Sequence, residues 1–168
     1  MKPELFVIKY LPHAKRVEAK NGISAVAILT QAALESAWGD VAPGNMFFGV
    51  KDTDGINGNE QLLTTTEYSS KADLKFPEII SKEVVLKNGR KMFKYKVKDY
   101  FRKYETPEDC FADHASFFFK NKRYSEALKV KHDHNRFFEE IAKAGYATDP
   151  NYANTLKAVA KSITKFVK

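Results

Sequence analysis

The chain of 168 residues contains a single cysteine, Cys110, so no intrachain disulfide is possible. No apolar run is long enough to span a bilayer. Met1-Lys2-Pro3-Glu4 lacks the basic-then-apolar pattern of a signal peptide. Internal repeats and low-complexity linkers are also missing, which points to one domain over residues 1–168. There is no Gly-rich phosphate loop and no Gly-x-Ser-x-Gly elbow, so phosphate cradling and serine-hydrolase chemistry have no support. His132-Asp133-His134 brings two imidazoles together without a third spaced ligand and reads as a solvated turn. Asp52-Thr53-Asp54-Gly55 begins like a calcium loop, but the acidic pattern stops there, so it reads as a turn. No metal and no cofactor is expected. Cys110-Phe111 falls in an apolar helical pattern with no marked histidine partner, so Cys110 reads as a small buried residue.

Phenylalanine and tyrosine are abundant, with 13 and 8 copies, so an aromatic-rich core or binding groove is expected. The net charge is +7, with basic residues enriched from Lys87 to Lys103 and at the C-terminus. Such a surface favours polyanions, among them an anionic cell wall, and is also simply soluble. The basic residues are not interleaved with an aromatic platform, which argues against nucleic acid.

Three parts follow one another. Pro3 to about Gly39 reads as helical, with Ser24 as the N-cap of its main helix and Gly39 as the stop. About Val41 to Tyr104 reads as loop and strand, because Pro43-Gly44-Asn45 breaks the helix. Asn88-Gly89 marks a hairpin between Glu83–Leu86 and Lys91–Lys98. In that second strand Phe93, Tyr95 and Val97 alternate with lysines, so one face packs and the other is solvated. The last part is helical again. Thr106-Pro107-Glu108-Asp109 is a helix start, with Phe111, His114, Ala115 and Phe118 on one face. Another helix runs from about Asn135 to Ala144 and stops at Gly145. Asp149-Pro150 opens the last one, with Tyr152, Leu156, Val159, Ile163 and Phe166 as its stripe.

Glu35 is the first charged residue after Lys20. An acid at the end of a buried helix loses solvation when ionised, which raises its pKa. An acid still protonated near neutral pH can protonate a leaving group. On a helix of about 100° per residue, Ile28, Gln31, Ala32 and Trp38 share its face, within about 60°. Spacing alone also allows Glu35 to be a paired residue of a last helical turn. A second carboxylate is usual in such chemistry, and Glu67 in Thr64-Thr65-Thr66-Glu67-Tyr68 is the best candidate, on a strand or strand edge. An exposed edge charge is the simpler meaning of Glu67.

Taken in order, several blocks resemble the glucosaminidase-type peptidoglycan hydrolases, glycoside hydrolase family 73. That family includes the muralytic domain of flagellar rod proteins and many autolysins. The blocks are Gln31–Gly39, Ala42–Lys51, Thr65–Tyr68, Phe101–Tyr104 with Asp113-His114, Asn121–Tyr124 and Ala144–Ala153. Ala37 stands where many relatives carry Gly, and Met46-Phe47-Phe48 replaces a more usual Asn-Leu-Phe type.

The resemblance implies a lysozyme-like α+β fold. A helical lobe (about 1–45 and 104–168) and a small β-lobe (about 46–103) would flank a groove. It implies cleavage of the β-1,4 bond between N-acetylglucosamine and N-acetylmuramic acid in peptidoglycan. Glu35 carries over as general acid, Glu67 as the β-lobe partner, and Tyr146 as a functional tyrosine. Gln31, Trp38, Asn45, Phe48, Gly49, Tyr68 and Tyr152 fall on motif positions that would bind or shape substrate. A monomer acting on glycan strands outside the cytoplasm is expected. A muramidase or lytic transglycosylase of the same broad fold, or an idle wall-binding domain, are the alternatives.

Overall fold

A computed structural model describes residues Met1–Lys168, which divide into two units: Met1–Phe48 with Tyr104–Lys168, and Gly49–Lys103. The first unit holds six helices. They are α1 (Pro3–Asn21), α2 (Ala25–Glu35), α3 (Pro107–Lys120), α4 (Ser125–Lys129), α5 (His134–Lys143) and α6 (Tyr152–Thr164). Short 3-10 turns cover Pro43–Asn45 and Lys122–Tyr124.

The helical stretch expected from Pro3 to Gly39 is two helices. Gly22 ends α1 in the left-handed conformation, at φ 80°. Glycine adopts that conformation without a Cβ penalty. The start of α2 is held from two sides. Ser24 Oγ accepts from Ala27 N–H at 3.3 Å, as the sequence predicts. Glu18 of α1 reaches over and accepts from Ala25 N–H at 2.7 Å. Two of the four orphan donors of α2 are satisfied in this way, and one partner ties it to α1.

The body of α2 is almost wholly buried: from Ala25 to Ala33 only Val26 is not. It packs against α1 and α6. Around it lie Phe6, Phe47, Phe111, Phe118, Phe137 and Phe138, all essentially inaccessible to water. Each such ring contributes about 1.5–3 kcal/mol through burial, so the helix that carries Glu35 is fixed by its surroundings. Cys110 is buried in the same core and accepts from Phe47 N–H at 3.5 Å.

The C-terminal helices also start where local chemistry predicts. Thr106 Oγ1 accepts from Asp109 N–H at 3.1 Å, with Pro107 in the first turn of α3. Asp133 caps α5 through Arg136 N–H at 3.1 Å. In α6, Tyr152, Leu156 and Ile163 are buried. Phe166 lies beyond the helix and is 36% exposed, so the apolar stripe ends one turn early.

The second unit is an antiparallel sheet of three strands: β1 (Glu60–Ser69), β2 (Glu78–Lys87) and β3 (Arg90–Arg102), in the order β1-β3-β2. Asn88 and Gly89 both have positive φ (53° and 75°), as a two-residue type I′ turn requires. The hairpin signal was therefore correct, and both strands extend beyond the predicted limits. Tyr95 and Val97 are buried, while Lys96 between them is exposed.

Candidate active site

The last residue of α2 is Glu35. Aligned carbonyls end there, and a helix C-terminus disfavours a negative charge. Glu35 is exposed on one side, while its Oε1 faces the Tyr152 hydroxyl at 3.4 Å. Burial of the packed side raises its pKa, and the Tyr152 hydrogen bond opposes that rise. The exposed side keeps the desolvation partial. The carboxyl is thus shifted toward the protonated form and remains reachable.

Tyr152 is one link in a buried chain. Its oxygen accepts from Gln31 Nε2 at 3.1 Å, and Gln31 Oε1 lies 2.7 Å from His114 Nε2. Because Gln31 Oε1 can only accept, His114 must donate from Nε2. His114 is buried, which lowers its pKa to about 3, so it is a neutral imidazole with one N–H. Its ring stacks on Phe48 at 3.7 Å between centroids and 7° between planes.

Tyr146 lies on the other side of Tyr152. The two rings stack at 5.6 Å and 19°, and Tyr146 also stacks on Phe118 at 5.8 Å. Burial raises the pKa of the Tyr146 hydroxyl, and Tyr152, Glu35 and Tyr124 raise it further. Burial also raises that of Tyr152; its Gln31 hydrogen bond opposes the rise and Glu35 adds to it. Both phenols therefore stay protonated, and Tyr152 donates to Glu35.

The helical unit thus brings Glu35, Gln31, Tyr146, Tyr152 and Phe48 together around His114. It does so differently from a continuous helix in two respects. Gln31 is 1% exposed and its amide is engaged by His114 and Tyr152, so it faces inward rather than toward a ligand. Trp38 is not one turn further along α2. The chain leaves the helix after Glu35, and Ala37 and Trp38 adopt φ of 50° and 58°. Ser36 enforces this exit: its hydroxyl donates to Ala32 O at 2.5 Å and accepts from Gly39 N–H at 2.9 Å. Trp38 instead meets Phe6 edge-on at 5.6 Å.

Asn45 has φ 57°, and its amide donates to the carbonyls of Tyr104 and Glu105 at 3.0 and 3.1 Å. It ties the Pro43–Asn45 turn to the segment leading into α3. Gly49 has φ 60° and open space where a Cβ would stand.

In the sheet unit Glu67 lies on edge strand β1, opposite Tyr95 of β3. Residues directly opposite share a face, so Glu67 stands on the same face as Tyr95, Val97 and Asp99. There Lys51 Nζ donates to Glu67 Oε1 at 2.6 Å and to Asp99 Oδ2 at 2.9 Å. Burial works against the Lys51 charge, but the two hydrogen-bonded carboxylates more than offset it, and its pKa is raised. Lys51 is placed by backbone pairing with β3: Arg102 N–H donates to Val50 O at 2.8 Å and Asp52 N–H to Tyr100 O at 3.0 Å. Tyr68, next to Glu67, points to the opposite face, where Lys87 Nζ lies 3.9 Å from its ring centroid. Spacing in the sequence does not announce the pairing of Lys51 with Asp99 and Glu67, or of His114 with Gln31. A lone histidine on an apolar helix face was the available signal for the last.

The sequence pattern of mannosyl-glycoprotein endo-β-N-acetylglucosaminidases matches residues 11–165. The chain is 30% identical over 168 aligned positions to peptidoglycan hydrolase FlgJ of Pseudomonas aeruginosa, covering 96% of this chain and 37% of that protein. It is 28% identical to exo-glucosaminidase LytG of Bacillus subtilis, covering 94% of this chain and 50% of the relative. The chain therefore spans half or less of the length of these relatives. The glycoside hydrolase domain of Salmonella typhimurium FlgJ superposes with a TM-score of 0.72 at 27% identity, over 98% of this chain and 99% of that one. With the helical unit, the three-stranded sheet and the acid at the end of α2 in place, these matches identify the chain as a member of the glucosaminidase family of glycoside hydrolases.

Proposed function

We propose that this chain hydrolyses the β-1,4 bond between N-acetylglucosamine and N-acetylmuramic acid in peptidoglycan, as an endo-acting glucosaminidase. The observation that carries the reading is Glu35: a reachable acid at the end of a buried helix, shifted toward its protonated form and hydrogen-bonded to Tyr152. The relatives named peptidoglycan hydrolase and glucosaminidase support the choice of substrate.

Glu35 protonates the glycosidic oxygen as the bond breaks. The sugar then carries oxocarbenium character. After transfer, the Glu35 carboxylate keeps the Tyr152 hydroxyl as a donor. Glu67 is the second carboxylate, fixed on β1 by Lys51. It either activates water or stabilises the positive charge. Tyr146 supplies a neutral phenol beside Tyr152. Trp38, Asn45 and Phe48 shape the substrate site on the helical unit. The protein acts outside the cytoplasmic membrane, where peptidoglycan lies, and no helix is long and apolar enough to cross a membrane.

Product analysis tests this directly. Digestion of defined peptidoglycan, followed by mass spectrometry, should yield fragments with N-acetylglucosamine at the new reducing end. N-acetylmuramic acid there would identify a muramidase, and an anhydro sugar a transglycosylase. Binding to sacculi without release of soluble sugar would identify a wall-binding domain. Early NMR of the product anomer assigns Glu67. Inversion goes with a water-activating base at about 6.5–9.5 Å from the acid, and retention with a nucleophile at about 5 Å or with the substrate acetamido group.

A further inference from the structure

We propose that His114 is a positioning residue that sets the direction of the hydrogen-bond chain His114–Gln31–Tyr152–Glu35. This rests on the reading of Glu35 as the acid. Each link has one permitted direction once the first is chosen. His114 Nε2–H points at Gln31 Oε1, 2.7 Å away. That leaves the amide nitrogen of Gln31 facing the Tyr152 oxygen, 3.1 Å away, as a donor. A phenol has one hydrogen. With its oxygen already accepting from Gln31, Tyr152 directs that hydrogen to Glu35 Oε1 at 3.4 Å. That distance is long for a hydrogen bond, and contacts of this kind tighten when substrate is bound.

The opposite direction is chemically possible and would be unproductive. If the imidazole carried its proton on Nδ1, Nε2 would accept, and the Gln31 amide would turn over. Gln31 Oε1 would then take the Tyr152 hydrogen, and Glu35 would lose its donor. The carboxylate left after proton transfer would be less stabilised. The structure gives the productive direction through the Gln31 amide, whose Oε1 faces the imidazole and whose Nε2 faces Tyr152, while close packing holds the ring in place. His114 is 7% exposed, Phe48 lies flat on its ring, and Phe118 meets it edge-on at 5.0 Å. The titratable groups near this hydrogen-bond chain include Tyr152 of α6, Tyr146 ahead of it and Tyr124, which raises the pKa of both. Cys110 lies one turn before His114 on α3, and Asp113, next to His114, is bound to Tyr104. The hydrogen-bond chain from His114 to Tyr152 is neutral, and its polarity is set at the imidazole.

The first measurements need no substrate. Nitrogen-15 NMR of the parent protein should show neutral His114 as the Nε2–H tautomer from pH 5 to 8, in about that range of ordinary histidine titration. Carbon-13 NMR of the side-chain carboxyl gives the Glu35 midpoint. His114→Phe and Tyr152→Phe should both move it upward, because each removes the donor from Glu35. His114→Gln keeps an N–H at the ε position and should leave the midpoint in place. In turnover assays His114→Phe should lower kcat roughly tenfold with KM changed less than about twofold, the pattern of a transition-state interaction. An Nδ1–H tautomer in the parent overturns the proposal. So does a Glu35 midpoint that none of the variants moves, or one that His114→Gln moves as far as His114→Phe. Should His114→Phe not fold, the parent tautomer and Tyr152→Phe decide. An unaltered lysis rate in Glu35→Gln would overturn the catalytic reading instead, and leaves these titrations standing.

Discussion

Replacing Lys51 with methionine removes one ammonium from two carboxylates. Lys51 is 39% exposed, Glu67 31% and Asp99 19%, with contacts of 2.6 and 2.9 Å. A fully exposed pair contributes about 0–1 kcal/mol, and breaking a buried pair costs about 3–5 kcal/mol. These groups lie between the limits, and solvent screens part of the interaction. Losing the shared cation should therefore cost about 2 kcal/mol. In a chain of this length that corresponds to a melting point about 4–8 °C lower. Urea unfolding and differential scanning calorimetry read both quantities. The effect should shrink in high salt, because the groups are partly open. The decisive comparison is the double variant. Once the ammonium is gone, Glu67 and Asp99 repel, so Glu67→Gln added to Lys51→Met should restore about 1 kcal/mol. The same Glu67→Gln change in the parent should destabilise. If Lys51→Met unfolds within about 0.5 kcal/mol of the parent, or Glu67→Gln restores nothing, the ion pair does not hold Glu67 as described.

Other outcomes follow from the same contacts. The folded-state pKa of Glu35 lies above its unfolded value, so the folded protein binds more protons between the two. The stability this group contributes is full below the unfolded pKa and is lost as pH rises through the folded pKa. Glu35→Gln should therefore melt no lower than the parent at pH 7, with a flatter stability profile above about pH 4.5. Asn45→Asp keeps the side-chain shape and the tolerance of positive φ but removes two N–H donors. It should shift the urea midpoint by the equivalent of about 2 kcal/mol or more. Burial pushes the Cys110 thiol up to about 12. A thiol reagent at pH 8 should leave it unlabelled in the native protein and label it fully in denaturant.

What the sequence revealed was local. The Ser24 and Thr106 caps, the Asn88-Gly89 turn and the apolar face of α3 each depend on residues within a few positions. Their chemistry acts over that range, so spacing was enough. The end of α2 did not follow Gly39, because Ala37 and Trp38 carry no signal for positive φ. Ser36 and the seat of Trp38 on Phe6 impose it. Gln31 read as part of a substrate-facing motif, yet its partners lie 83 and 121 residues away. Lys51 closes a recognisable block, but nothing near it announces Glu67 or Asp99. Glu35 was the reverse case. Its uncharged helix was visible from the start, and the structure added the hydroxyl that faces it.

The most direct test is the rate at which folded Glu35→Gln releases soluble fragments from purified peptidoglycan. A positioned general acid contributes about 10²–10⁴-fold, so the variant should lose at least about a hundredfold in turnover while its melting point at pH 7 is unchanged or higher. Clearance of the suspension at the parental rate by the folded variant would contradict the account.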